Sequence, residues 1–393
     1  MKKLSLLLIV ICWYACSSTE EQSTLEQCNV IASKVITEED TLIVCDVNKI
    51  EQHIKLPLST LVEDWKLLKL ENSSKEVMVR PSSIYPSKNY ILIHPVEYNR
   101  GTMLFDKNGK YLHDIGKKGN GPGEIVNTVS DVYMDEENDC VYIRDLKPSR
   151  ILKYRLSNGE YVQDIPLGYN KLFQFIVDAD NNSLTATCMP HSRYDEGIPL
   201  IWQQDLEGNV SQGIPSEGYD KEGWSEFWLW KRNGNLTFYH FNAPARKDTL
   251  FHYSTTENRF IPRFTVTFGN EIPEHRFEDT SQHYLVTLQE GGLELGSAIQ
   301  LKKRFIVDKE TLKGAWVDIV LDGYGNFSIS GEWMYLTDDY FTMRLYPHQV
   351  AETCEKLLAH PENLKPEEKK NLQELLDGLT EDDNAFILYG KIK

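Results

Sequence analysis

A turn that returns about every fifty residues narrows the fold of this chain more than any other feature of its sequence. The segment Met103-Leu104-Phe105-Asp106-Lys107-Asn108-Gly109-Lys110-Tyr111-Leu112 reads as a strand, a turn and a returning strand, because asparagine and glycine accept the positive φ that a tight hairpin needs. The pattern recurs around Ser157-Asn158-Gly159 and Asp205-Leu206-Glu207-Gly208, and the turn glycines Gly109, Gly159 and Gly208 stand 50 and 49 residues apart. Degenerate copies follow at Leu250–Phe260 and Phe305–Gly314. Ahead of the first four hairpins runs another β-like segment, at Asn89–Ile93, Cys140–Ile143, Ser183–Thr187 and Asn235–Tyr239. Four short strands per period describe the blade of a β-propeller, and the 3.6-residue periodicity of helical solenoids is missing across residues 80–340.

Five clear copies and an incomplete sixth, Trp333–Met343, predict an all-β, six-bladed propeller of four-stranded blades. A ring must close, or an open sheet edge would offer unpaired backbone groups to other chains. The segments Thr41–Val47, Ile54–Leu58 and Ala385–Ile392 are the expected closing strands. Between them and the sixth copy, Val350, Cys354, Leu357 and Leu358, then Leu372, Leu375, Leu376 and Leu379 after Pro366, recur at helical spacing. They predict a helical hairpin inserted at about 347–380 that caps one face of the propeller.

The chain has 393 residues and a formal charge of −17. Such a field repels phosphate backbones, so nucleic acid is not an expected partner. The N-terminus reads Met1-Lys2-Lys3, an apolar run from Leu4 to Trp13, and Tyr14-Ala15-Cys16. This is a secretory signal over residues 1–15, with an apolar run too short to span a bilayer. Ala15-Cys16 resembles the lipobox of bacterial lipoproteins, which implies that Cys16 is lipidated and anchors the protein to a membrane of the cell envelope. The polar stretch after it predicts a tether over 16–38 ahead of a single domain over 39–393. Glu20-Glu21 behind the cysteine resembles the surface-export signal of Bacteroidota lipoproteins. The remaining five cysteines show no C-x-x-C spacing, and Cys140 and Cys188 read as small core hydrophobes within strands.

The loop Ile115-Gly116-Lys117-Lys118-Gly119-Asn120-Gly121-Pro122-Gly123-Glu124-Ile125 precedes Val141-Tyr142-Ile143-Arg144-Asp145 and Ser149-Arg150-Ile151-Leu152-Lys153-Tyr154. Together these resemble an NHL-type blade. With Leu56-Pro57-Leu58-Ser59 and Asp382-Asp383-Asn384, the chain after Cys16 resembles the six-bladed propeller lipoproteins of Bacteroidota. The glycine loop lacks the lysine-serine ending of a phosphate-binding loop, and it reads as an inter-blade crossover tied by Glu124.

The resemblance implies an Arg–Asp pair that staples strands. Arg144, Asp145 and Arg150 therefore divide between that role and a ligand-facing one at the channel mouth, where arginine grips a carboxylate. In the aromatic segment Tyr219–Trp230, Trp228 and Trp230 share a strand face and read as core, whereas Trp224 is a candidate ligand contact. The histidines lack metal-ligand spacing. A calcium or zinc ion in the central channel is the expectation of the competing reading, a metal-dependent lyase or lactonase. The leading expectation is a non-enzymatic module that binds a small molecule, a glycan or a protein.

Overall fold

In the computed structural model, residues 24–393 are described except 38, 75–76, 97–99, 127, 147–148, 173, 189–196, 217–223, 233, 244–247, 291–300, 330–333 and 381–382. Six antiparallel blades succeed one another around a central axis. Blade one is built from Pro81–Pro86, Tyr90–Pro95, Thr102–Asp106 and Tyr111–Ile115, in that order from the axis outward. Blades two and three begin with the inner strands Thr128–Asp135 and Phe175–Asp178. Blades four, five and six begin with Trp224–Arg232, Glu274–Asp279 and Tyr335–Thr337. Each of the five clear hairpins forms the third and fourth strands of its blade, whereas the incomplete sixth copy forms the first two of blade six.

The turns behave as their chemistry requires. Asp106 accepts the backbone N–H groups of Asn108 and Lys110 at 2.8 and 3.0 Å, and Gly109 sits at φ +83°. Asp205 holds the third turn in the same way. In the fourth and fifth copies the left-handed position is taken by Asn258 and Leu312.

The middle strands of the blades are largely buried on both faces, whereas outer strands such as Tyr161–Ile165 are mostly exposed. Alternate residues of one strand enter two different cores, each shared by neighbouring blades. Leu92 and Leu104 of blade one join Val141, Ile143 and Tyr154 of blade two. Their neighbours Ile91, Ile93, Met103 and Phe105 join Ile387 and Tyr389 of blade six. Tyr142 and Ile151 continue into blade three, Ile176 and Ile201 into blade four, and Tyr239 and Phe264 into blade five. Leu285 and Ile306 of blade five meet Phe341, Met343 and Leu388 of blade six. These six clusters complete the ring.

Closure differs in detail from the expectation. Blade six takes its third strand, Phe386–Ile392, from the C-terminus and its outermost strand, Val62–Leu68, from the N-terminal region, paired antiparallel. Of the segments expected to close the ring, Ala385–Ile392 does so, whereas the two N-terminal ones, Thr41–Val47 and Ile54–Leu58, add instead to the outside of complete blades. Thr41–Asp46 runs parallel to the last strand of blade four, with Ala32–Ile36 beyond it, and His53–Pro57 runs parallel to the last strand of blade five. Leu25, Cys28 and Ile31, assigned above to the tether, are buried against the body. The apolar face of this strap lacked a partner in the linear reading; the rim of blades four and five supplies it.

Helices α1, Pro347–Leu358, and α2, Pro366–Asp377, lie between the second and third strands of blade six. Val350, Cys354 and Leu372 pack into the core shared by blades five and six. Asn384 then fastens the chain end: its Oδ1 accepts the Val79 N–H at 2.8 Å and its amide donates to the Val77 and Glu71 carbonyls. Cys28, Cys45, Cys140, Cys188 and Cys354 are all buried, and none of them forms a disulfide among the described residues.

Candidate central-channel site

The inner strands of all six blades converge on a cavity of about 460 Å³ along the axis. Such a volume lies within the ordinary range for small-ligand pockets. Its wall alternates aromatic and charged groups: Tyr85, Tyr133, Trp228, Trp230 and Tyr335 beside Asp131, Arg144, Arg276, Glu278 and Asp338.

Among the residues singled out in the sequence, Arg144 lies on this wall. Its Nη1 donates to the Leu172 carbonyl at 2.5 Å and its Nε lies 3.9 Å from Asp131 Oδ2. Burial pushes the Asp131 carboxyl up to about 7 against the pull of Arg144, because an ion pair this long does not replace lost hydration. Asp145 and Arg150 serve elsewhere. They face each other in the register of adjacent strands, and Arg150 donates to Asp145 Oδ2, to Asp164 Oδ2 and to the Glu124 carbonyl. Glu124 in turn accepts the Gly121 N–H at 2.8 Å and pairs with Lys117 at 2.9 Å. A Cβ on Gly119 would come within 1.9 Å of Glu124 Oε2, so a side chain there would have to displace the glutamate carboxylate. Trp224 starts the inner strand of blade four opposite Ala243, and its side chain, like Cys16, lies outside the described residues.

Most of the site was missed in the sequence. Trp228 and Trp230 are on one strand face as expected, yet they form channel wall as well as core. Opposite them, Arg276 places its guanidinium 4.3 Å from the centre of the Trp228 ring and 5.9 Å from that of Tyr335. Glu278, two residues on, has its carboxyl pushed up to about 7 by burial, opposed by Arg276, Arg232 and Arg304. The alternation Trp228-x-Trp230-x-Arg232 and Arg276-x-Glu278 was the available signal: charged residues at one parity of a strand whose other parity is core.

Asp338 crosses one end of the channel. From the first turn of blade six it reaches blade four, where its Oδ1 accepts the Lys231 N–H at 3.2 Å and its carbonyl accepts from Arg232 Nε at 2.8 Å. Burial raises its carboxyl to about 6. Among the described residues no three His, Cys, Asp or Glu side chains gather as a metal site. Asp178 accepts the Asn181 amide and pairs with Lys231 at 3.5 Å.

The sequence profile of a family described as "Domain of unknown function (DUF4934)" matches residues 42–391. A comparison with curated proteins finds no match. Among solved structures, the chain is similar to one described as a "Putative exported protein" from Bacteroides fragilis NCTC 9343. The two share 17% identity with a TM-score of 0.60, over 90% of this chain and 100% of that one. A hydrazine synthase of Kuenenia stuttgartiensis aligns at 12% identity and a TM-score of 0.43, over 79% and 87% of the two chains. At 17% identity the likeness to the Bacteroides fragilis structure is one of fold.

Proposed function

As this chain belongs to the DUF4934 family, whose description assigns no function, we propose from its channel that it is an extracytoplasmic binding module for a small polar ligand. The observation that carries this is the convergence of aromatic and charged side chains from six blades on one axial cavity of about 460 Å³. Aromatic faces contribute contact area at low entropic cost and the few charged groups set orientation. The signal-like start supports export, and Ala15-Cys16 supports lipidation at Cys16 within an envelope membrane. The Bacteroides fragilis neighbour is itself described as exported. Because residues from Leu25 onward are docked on the body, the segment proposed as a tether shortens from 16–38 to the residues ahead of Leu25. The glycine loop and the Arg150–Asp145 staple support an NHL-like origin for blade two.

A panel of sugars, amino acids, organic acids and amines, screened by tryptophan emission of the purified chain, tests the reading. A ligand of the channel is expected to lose at least about tenfold in affinity in Trp228→Leu, the loss that follows from removing a central aromatic contact. Lys34→Ala, on the exposed outer strap, leaves affinity unchanged. Undiminished binding by a Trp228→Leu protein that melts like its parent would place the ligand elsewhere.

A further inference from the structure

Two carboxyl groups on the axial cavity lack the donors that buried acids ordinarily have. Glu278, on the inner strand of blade five, is 7% exposed. Among the described residues neither a hydrogen bond nor an ion pair within 4 Å reaches its carboxyl. Its oxygens are not sealed in the wall, and they stay open to the cavity that the residue lines. Asp131, on the inner strand of blade two, stands three places round the ring and so across the axis. Its Oδ2 has no hydrogen-bond partner among the described residues, and Arg144 Nε at 3.9 Å is too far away to donate. A buried carboxylate without donors bears the cost of its lost hydration uncompensated.

The cations of the same wall are already engaged. Arg144 donates to the Leu172 carbonyl, and Arg276 stacks on the rings of Trp228 and Tyr335. Asp338, the third acid, accepts the Lys231 N–H. Among the described residues, three acids thus share the cavity with two committed guanidinium groups. What the wall is short of is a donor that carries positive charge. We propose that the axial cavity takes a small organic amine in its ammonium form, the ammonium group donating to Glu278 while Asp131 on the opposite wall accepts from a second donor of the same ligand. An inorganic divalent ion fits less well, because it needs several oxygen ligands gathered together and among the described residues no three such side chains gather. The aromatic wall, with Tyr85, Tyr133 and Tyr335, suits the carbon skeleton and favours a cation beside it. The inference rests on the channel being the binding site and names the class of ligand it binds.

Ionisation couples to this binding. Glu278 is faced by Arg276 and Asp279 on its own strand, by Arg232 and Tyr239 of blade four and by Arg304 of blade five. Asp131 is faced by Arg144 and Tyr85. Burial holds both carboxyls up at about 7. An ammonium group favours their ionised forms, so the complex releases protons as it forms near neutral pH. Affinity is then flat above about pH 8 and weakens as pH falls below about 7, by up to about tenfold per unit for each carboxyl that must ionise.

Titration calorimetry of the chain with putrescine against butanediol, phenethylamine against phenethyl alcohol, and calcium chloride tests the assignment, at about pH 8 and about pH 6. At least one amine is expected to bind at least about tenfold more tightly at the higher pH than its alcohol and than calcium, as for hydrogen bonds to a charged group. Glu278→Gln, which keeps the shape and removes the charge, is expected to erase that preference and to flatten the pH dependence. Asp131→Asn provides the same readout should Glu278→Gln fail to fold. Equal binding of amine and alcohol overturns the amine assignment while leaving a channel-binding module intact, and so does a folded Glu278→Gln protein that keeps the preference. Tighter binding of calcium, or binding of neither amine, also overturns it, and in the last case the wider panel decides whether the channel binds ligands at all.

Discussion

Glu278 is the residue at which burial and charge oppose each other. Its folded carboxyl titrates near 7, above the ordinary glutamate value near 4.3. An acid raised in this way leaves stability whole below its unfolded pKa, and stability is lost as pH climbs through the folded value. Glu278→Gln removes the titration. The variant is expected to melt with the parent at pH 4.5 and above it at pH 8, by on the order of 2 °C for about 1 kcal/mol. Thermal melts across that range check this, and a constant difference at all pH values would refute it. The same scale explains which residues were legible. Gly109 and Gly159 announced themselves because their turns demand positive φ. Arg276 and Glu278 did not, because a charge in a strand looks like an ordinary solvated position until the strand is placed at the axis.

Among the elements, the two chain ends make unequal contributions. The C-terminal strand Phe386–Ile392 is internal to blade six, between Tyr340–Leu345 and Val62–Leu68. Its Ile387, Leu388 and Tyr389 belong to two of the six cores. Deleting residues 386–393 is expected to abolish cooperative folding, seen as loss of the near-ultraviolet circular dichroism signal. Starting the chain at Leu61 removes only strands outside blades four and five, which each keep four of their own. That variant should retain its far-ultraviolet β spectrum and melt several degrees lower, since Ile31, Cys45 and Leu56 leave buried positions. A truncated chain that fails to fold would show that the strap is part of the ring's closure. The helices were readable in the sequence from their spacing and from Pro366. The strap was not, because parallel pairing to strands more than two hundred residues away leaves no local pattern.

At the scale of the molecule, no blade owns a core. Each cluster joins two blades, so removing one exposes apolar faces on both neighbours. A chain of this length often unfolds in stages, yet this arrangement predicts one transition. Scanning calorimetry should give a single peak with a calorimetric to van 't Hoff enthalpy ratio near one. Two resolved peaks would mean that an arc of blades stands alone.

The linear sequence was sufficient for the blade, the count of blades and the helical insertion, because strand alternation, turn chemistry and helical spacing are short-range and repeat with the period of the fold. What lines the axis was decided only in three dimensions. Six inner strands bring together Asp131, Trp228, Arg276, Glu278 and Asp338 from positions spread over more than two hundred residues. Their burial, which moves the carboxyls, exists only once the ring has closed around them.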